Sequence, residues 1–291
     1  MRKGEVMKQQ QSEVAQGQRF EFGANWLRFL DVLNSDRVCL AENSLKEMLE
    51  MEDLHGKTFL DAGSGSGLFS LAARRLGARV HSFDYDPQSV ACTAELKQRY
   101  FADDSQWVVE PGSVLNQGYL DRLGKFDIVY SWGVLHHTGS MWKALENIAP
   151  LVARRGGKLF IAIYNDQDGL SRRWRLLKKV YNKLPQFLKT LYALLIMGPR
   201  ELKFLALHCL KGDPRGYFSN ITHYSESSLR GMSYWHDLID WIGGYPFEVA
   251  KPEEIFDYYR KQGFNLEKLR TSAGGIACNE FVFNAPKEEG E

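Results

Sequence analysis

Apolar and polar positions follow two different rhythms along this chain. Residues 19–50 place Trp26, Phe29, Leu30 and Leu33 at helical spacing, and a second helix is expected over Ser44–Met51. Short apolar runs then alternate with helical stretches. Lys57–Asp61 reads as a strand, Leu68–Leu76 as a helix stopped at Gly77, Arg79–Phe83 as a strand and Pro87–Arg99 as a helix. Trp107–Val109 and Phe126–Tyr130 read as further strands, Met141–Val152 as the next helix, and Lys158–Ile163 as a nearly all-apolar fifth strand. Strands and helices alternating at this length predict a mostly parallel sheet covered on both faces. Near the end, Pro252–Gln262 predicts a helix stopped by Gly263. The strands Leu266–Thr271 and Asn279–Phe283 follow it, joined by a turn at Ala273-Gly274-Gly275. The expectation is an α/β fold with seven strands, closed by a terminal antiparallel hairpin.

Two regions break the rhythm. Residues 1–18 read as disordered or loosely helical, and residues 169–248 as two or three helices plus an aromatic-rich loop. The implied organisation is an N-terminal helical extension and lid over 1–50, a ligand-binding core over 51–168, an insertion after the fifth strand over 169–250, and completion of the core over 251–291.

Composition narrows the class. Hydrophobic residues at 44% and charged residues at 25% suit a soluble globular protein, and a net charge of +1 offers no global attraction to nucleic acid or membrane. Cys39, Cys92, Cys209 and Cys278 form no Cys-x-x-Cys pair, which argues against a disulfide framework or a metal site. The polar N-terminus lacks an apolar signal core, and Phe187–Met197 is too short and carries Lys189, so a cytoplasmic protein is expected.

The chemistry centres on Asp61-Ala62-Gly63-Ser64-Gly65-Ser66-Gly67, between the first strand and its helix. Glycine there permits positive φ and close approach of backbone to a ligand, and the next helix offers unpaired N–H groups. The dinucleotide fingerprint requires a glycine at the sixth position, which here is Leu68, and no Gly-Lys-Ser/Thr phosphate loop is present. Asp84 ends the second strand about twenty residues on, where a carboxylate can accept a pair of ribose hydroxyls.

These segments resemble the class I S-adenosylmethionine-dependent methyltransferases over 57–165, and again over 251–284. The glycine turn resembles that family's first motif. Asp84-Tyr85-Asp86-Pro87 then resembles the acidic strand end that opens a helix, with Asp86 read as the cap. Ser113-Val114 stands where the family often has an acidic residue near the adenine. Ser131-Trp132-Gly133-Val134-Leu135-His136-His137 resembles the segment after the fourth strand, and Arg155-Gly156-Gly157 the turn before the fifth. The resemblance implies a Rossmann-like methyltransferase fold with S-adenosyl-L-methionine held by Asp61, Gly63, Ser64, Gly65, Gly67, Asp84, Tyr85, Ser113, Val114, Ser131 and Trp132. The core is also similar to the polyprenyl-hydroxyphenyl O-methylases of ubiquinone synthesis, through motifs many methylases share. The long insertion and the paired histidines depart from that pattern.

Methyl transfer to a hydroxyl or amine needs alignment and often a base. His137 and His136, expected to begin a helix beside the transfer point, are the candidate bases. Trp132, Tyr164, Tyr224 and Trp235 are candidate walls, and Phe22–Trp26 a candidate lid. His223, Arg230, His236, Asp237 and Glu248 are further polar pocket candidates. Within the insertion, Trp174, Leu177, Tyr181, Leu184, Leu188 and Leu191 are expected on one apolar face. Arg172, Arg173, Arg175, Lys178, Lys179 and Lys183 are expected on the other, and Pro185 to open a second helix. A lid helix with a solvated basic face is the favoured reading. A peripheral membrane contact through 171–197 and a basic patch for an anionic substrate stay open beside it.

The expected function is methyl transfer to a small molecule, for example a phenolic or quinone-like hydroxyl. A tRNA-modifying enzyme and a nicotinamide-dependent oxidoreductase are the alternatives. No Asn/Asp-Pro-Pro-Tyr motif supports the RNA reading, so nucleic acid is not the expected partner.

Overall fold

The computed structural model describes residues 3–224, 234–272 and 277–286. Its strands are β1 (Thr58–Ala62), β2 (Arg79–Asp84), β3 (Trp107–Pro111), β4 (Ile128–Trp132), β5 (Lys158–Tyr164), β6 (Asn265–Arg270) and β7 (Cys278–Asn284). They form one seven-stranded sheet in the order β3-β2-β1-β4-β5-β7-β6. Strands β1 to β5 pair in parallel, while β7 lies antiparallel between β5 and β6. This is the Rossmann-like, mostly parallel fold that the alternating pattern predicted, with each strand bound within two residues of its expected place. The Ala273–Gly275 turn lies outside the described residues.

The sheet is covered on both faces, and the period-two rule sorts its side chains. Phe59, Val80, Ile128, Tyr130, Phe160 and Val282 pack on one face with α4 (Leu68–Arg75), α5 (Pro87–Phe101) and the N-terminal α3 (Ser35–Leu49). Leu60, Val129, Leu159, Ile161, Phe281 and Phe283 pack on the other, with α7 (Met141–Ile148) and the late helix Pro252–Arg260. The central strand β5, KLFIAIY, therefore reads as a nearly continuous apolar run because both its faces are buried.

Several expectations are corrected. Residues Lys3–Ala15 are an α-helix, α1, whose Glu13 pairs with Arg19 and accepts from the Tyr85 hydroxyl. The segment lacks an apolar stripe, so its helix is held by tertiary hydrogen bonds that local pattern does not reveal. Helix α3 begins at Ser35, well before Ser44, because Asn34 caps it by accepting from the Arg37 N–H. The two histidines sit in a short 3-10 turn, Leu135–His137, ahead of α7, and do not open that helix. The insertion is more helical than expected: α8 (Gly169–Lys183), α9 (Gln186–Leu210), α10 (Pro214–Thr222) and α11 (Tyr234–Gly243).

Pro185 divides α8 from α9 and resets their phase, so Leu191, expected on one apolar face with Trp174 and Tyr181, is 54% exposed while Tyr181 is buried. Lys178, expected on the solvated basic face, is fully buried and donates to the Trp241 carbonyl. It faces the rings of Trp241 and Phe247 at 4.6 and 4.9 Å. Burial brings its pKa down to about 7, against the pull of the Asp240 charge. Among the described residues, no helix is long and apolar enough to cross a membrane.

Candidate active site

A deep cavity of about 1450 Å3 opens at the carboxyl ends of β1, β2 and β4, where open α/β sheets place their ligands. Its floor is the turn after β1. The N–H groups of Gly63 and Ser64 donate to the Phe83 carbonyl at 2.8 and 3.1 Å, tying that turn to the end of β2. Gly63 has φ of +89°, and a Cβ there would meet the Val134 side chain at 2.4 Å, so both conformation and space require glycine.

Asp84, at the tip of β2, organises the turn. One carboxylate oxygen accepts from the Gly65 N–H at 2.9 Å, the other from the Asp86 N–H at 2.8 Å. Asp86 caps α5 by accepting from the Gln88 N–H at 2.9 Å, as expected, and also accepts from the Gly23 N–H at 2.9 Å. Asp61 accepts from the Ser70 hydroxyl at 2.5 Å and is nearly fully buried at the cavity edge. Burial raises the pKa of Asp61 to about 7, with the Asp84 charge adding to the effect and the Ser70 hydrogen bond opposing it. Burial likewise raises Asp84 to about 7, aided by the charge of Asp86 and opposed by the N–H groups bonded to it.

The cavity brings together Asp61, Gly63, Ser64, Gly65, Asp84, Tyr85, Ser113, Val114, Trp132 and His137. Of the cofactor-binding and base candidates, three do not line it. Ser131 is fully buried and its hydroxyl donates to the Ala62 carbonyl at 2.7 Å, so it joins β4 to β1. Gly67 lets α4 approach α5, since a Cβ there would stand 2.9 Å from the Thr93 Cα. His136 is fully buried, packed at a 40° tilt on Tyr164 with centroids 4.0 Å apart, and its Nδ1 accepts from the Tyr164 N–H at 3.3 Å.

His137 differs. Its Nδ1 lies 2.6 Å from the Pro246 carbonyl, which can only accept. That bond places the proton of the neutral ring on Nδ1 and the lone pair on Nε2. The ring packs against Phe22 at 4.9 Å.

Of the proposed walls, Trp132, Tyr164 and Tyr224 line the cavity, and Trp235, 39% exposed, does not. Trp132 donates through Nε1 to Glu280 at 2.8 Å, and the Tyr224 hydroxyl to Asp237 at 2.6 Å. Asp237 lines the cavity. Glu248 instead accepts from the Met141 N–H at the start of α7, and His223 stays exposed just past the end of α10. Arg230 and the His236 side chain lie outside the described residues.

The N-terminal segment roofs the cavity through Phe20, Phe22 and Trp26. The side chains of Ala24 and Asn25 lie outside the described residues. Arg19, which sequence reasoning missed, fastens this roof. It donates to the His137 carbonyl at 2.8 Å and the Thr138 carbonyl at 3.4 Å, pairs with Glu13 at 2.8 Å, and lies 4.9 Å over the Tyr85 ring. A lone arginine in a polar stretch carries no signal of such a role. Glu280 was also missed, although a carboxylate next to the apolar run Phe281–Phe283 within the last strand was a visible anomaly.

The residues present suit a nucleoside carrying hydroxyl donors and positive charge. Two desolvated carboxyls beside the turn favour such a ligand, and they disfavour a pyrophosphate, whose charge would add to theirs.

Comparison with known proteins agrees. Residues 60–159 match the family model described as a methyltransferase domain. The ribosomal protein L11 methyltransferase of Methylococcus capsulatus is 42% identical over 69 residues, 23% of this chain and 24% of that protein. The tRNA U34 carboxymethyltransferase of Klebsiella pneumoniae is 33% identical over 117 residues, 38% of this chain and 32% of that protein. The chain thus spans about a quarter to a third of the length of these curated relatives. Among solved structures, an O-methyltransferase family protein from Burkholderia thailandensis aligns with a TM-score of 0.52 at 12% identity, over 87% of this chain and 58% of that one. Magnesium protoporphyrin IX methyltransferase from Synechocystis, with bound SAH, aligns with a TM-score of 0.49 at 16% identity, over 87% and 88%. Residues 60–159 thus form a methyltransferase domain, carried on the mostly parallel seven-stranded sheet in the order β3-β2-β1-β4-β5-β7-β6.

Proposed function

We propose that this protein transfers the methyl group of S-adenosylmethionine to a small-molecule acceptor, at a hydroxyl or amine that loses a proton in the step. The observation that carries this reading is the roofed cavity of about 1450 Å3. Ordinary small-ligand pockets measure roughly 300–1,000 Å3, so this one has room for a cofactor and an acceptor together. A roof fastened by Arg19 to the backbone at His137 and Thr138 suits an acceptor held beside the cofactor inside the cavity.

The cofactor supplies an electrophilic methyl on a sulfonium. In this reading Asp84 accepts from the ribose hydroxyls, its two oxygens each keeping capacity beyond the N–H already bound. Asp61, Gly63, Ser64 and Gly65 shape the turn beneath, Tyr85, Ser113 and Val114 flank the nucleoside, and Trp132 closes one side. The phenyl and indole faces of the roof exclude water and tolerate the positive charge. His137 accepts the acceptor's proton at Nε2 while the Pro246 carbonyl holds Nδ1–H. Fully buried His136 supports the turn from behind.

The test is binding and turnover together. Calorimetric titration with S-adenosylmethionine, with its demethylated product and with a nicotinamide dinucleotide should give heat for the first two alone. Methyl release should then appear with phenolic or amine acceptors and be absent with bulk tRNA. Tight dinucleotide binding, or methylation of tRNA, would overturn the reading.

A further inference from the structure

Helix α9 is unlike the rest of the molecule. Of its residues Gln186–Leu210, Ala193 and Met197 are buried, while Phe187, Leu191, Leu194, Leu195 and Leu202 are exposed at 80, 54, 53, 65 and 67%. At 3.6 residues per turn these five fall within one stripe of about 100°, while Phe204, Leu207 and Leu210, exposed at 41, 42 and 84%, lie off it toward the helix end. Leu176 on α8, at 61%, and Phe218 on α10, at 58%, add further exposed apolar surface to the same insertion. Scattered exposed leucines are ordinary, but a continuous stripe of them marks an interaction surface.

Charge identifies the partner. Residues 169–224 carry eleven lysines and arginines against Glu201 and Asp213, a net of +9 in a chain whose total is +1, which leaves −8 for all other residues. Each of these basic residues except Lys178 reaches the surface. A second copy of such a face would be repelled by its own charge. Single-stranded RNA would call for exposed aromatic platforms, and α9 offers mostly leucines, on which bases do not stack. An exposed aliphatic stripe, on an insertion whose other surfaces carry lysine and arginine, instead suits acyl chains beneath anionic headgroups.

We infer that the α8–α10 segment docks on an anionic lipid surface, with the exposed stripe of α9 entering the acyl boundary. Leu170 and Trp174 of α8, Arg200 of α9 and Tyr224 line the catalytic cavity. The docking surface and the cavity wall are therefore built on the same helices, so docking sets the cavity beside the bilayer. The inference concerns binding and stands independently of the acceptor's identity.

The experiment is co-sedimentation of the full chain with vesicles of phosphatidylcholine alone and of phosphatidylcholine mixed with phosphatidylglycerol. Binding is expected to the mixed vesicles and to weaken as salt rises. Because Leu194 and Leu195 are already exposed, the double variant Leu194→Asp/Leu195→Asp keeps its fold, as circular dichroism will verify. Its partitioning should fall at least about a hundredfold. Lys189→Glu/Lys203→Glu should weaken binding to the mixed vesicles. Failure to sediment with mixed vesicles at low salt, or unchanged binding by the leucine variant, would overturn the inference. So would a dimer in sedimentation analysis that the leucine variant abolishes, or tRNA binding that it retains.

Discussion

The imidazole of His137 is held by the carbonyl of Pro246, 2.6 Å from Nδ1. The two residues lie far apart in the chain, and the bond fixes both the ring's orientation and the nitrogen left to accept a proton. If Nε2 is the base, His137→Ala should lower kcat by about 10²–10⁴-fold and leave cofactor affinity nearly unchanged. Steady-state kinetics with parallel titration of the cofactor checks this. Wild-type turnover would leave His137 a packing residue. His136→Asn should act on folding stability instead, since its ring is fully buried behind the turn.

Asp84 joins the glycine turn to the proposed ribose site. Asp84→Ala should weaken S-adenosylmethionine binding by roughly 1–3 kcal/mol, the usual cost of stranding buried polar partners. Isothermal titration of wild type and variant reads this directly, and equal affinities would remove the role.

The raised pKa values of Asp61 and Asp84, about 7 each, predict a pH dependence of opposite sign for the free and bound protein. In the free protein, the folded state holds these protons more tightly than the unfolded chain. Their contribution to stability therefore falls as pH rises from about 4 to about 7. Ligand hydroxyls require the carboxylate, so cofactor affinity should rise as pH passes upward through 7. Asp84→Asn should flatten both trends. Melting curves and titrations between about pH 5 and pH 8 test the pair of signs.

Lys178 carries the reverse case. Its pKa of about 7 lies below the unfolded value near 10.5, so the penalty for burying it fades as pH rises through that window. The stability of wild type relative to Lys178→Met should therefore increase from pH 7 toward pH 10, by on the order of a few kcal/mol. Denaturant unfolding at several pH values measures it, and a flat difference would show that the lysine finds more solvent than its surroundings suggest.

Arg19 fastens the roof through Glu13 and two backbone carbonyls. Arg19→Ala should raise KM for cofactor and acceptor together, on the order of tenfold, with a smaller change in kcat. Faster proteolysis near the N-terminus should accompany it. An unchanged KM for both would show that the roof closes without this side chain.

Much of the architecture was legible in the chain because it rests on local rules. Period-two and period-3.6 patterns located the strands and their helices, and Gly63 and Asp84 stood out by residue type and spacing. What the chain by itself did not disclose depends on contacts between distant segments. Arg19 meets His137 and Thr138, Trp132 meets Glu280, and His137 meets Pro246 only after the sheet has assembled. The two adjacent histidines, alike in sequence, were separated by tertiary packing into one at the cavity and one buried behind it. Lys178 shows the same limit. Helical periodicity assigns it to the charged face, but the aromatic rings of Trp241 and Phe247 cover that position and decide its burial. Local pattern sets which elements form, and the order in which they stack decides which side chains meet a ligand.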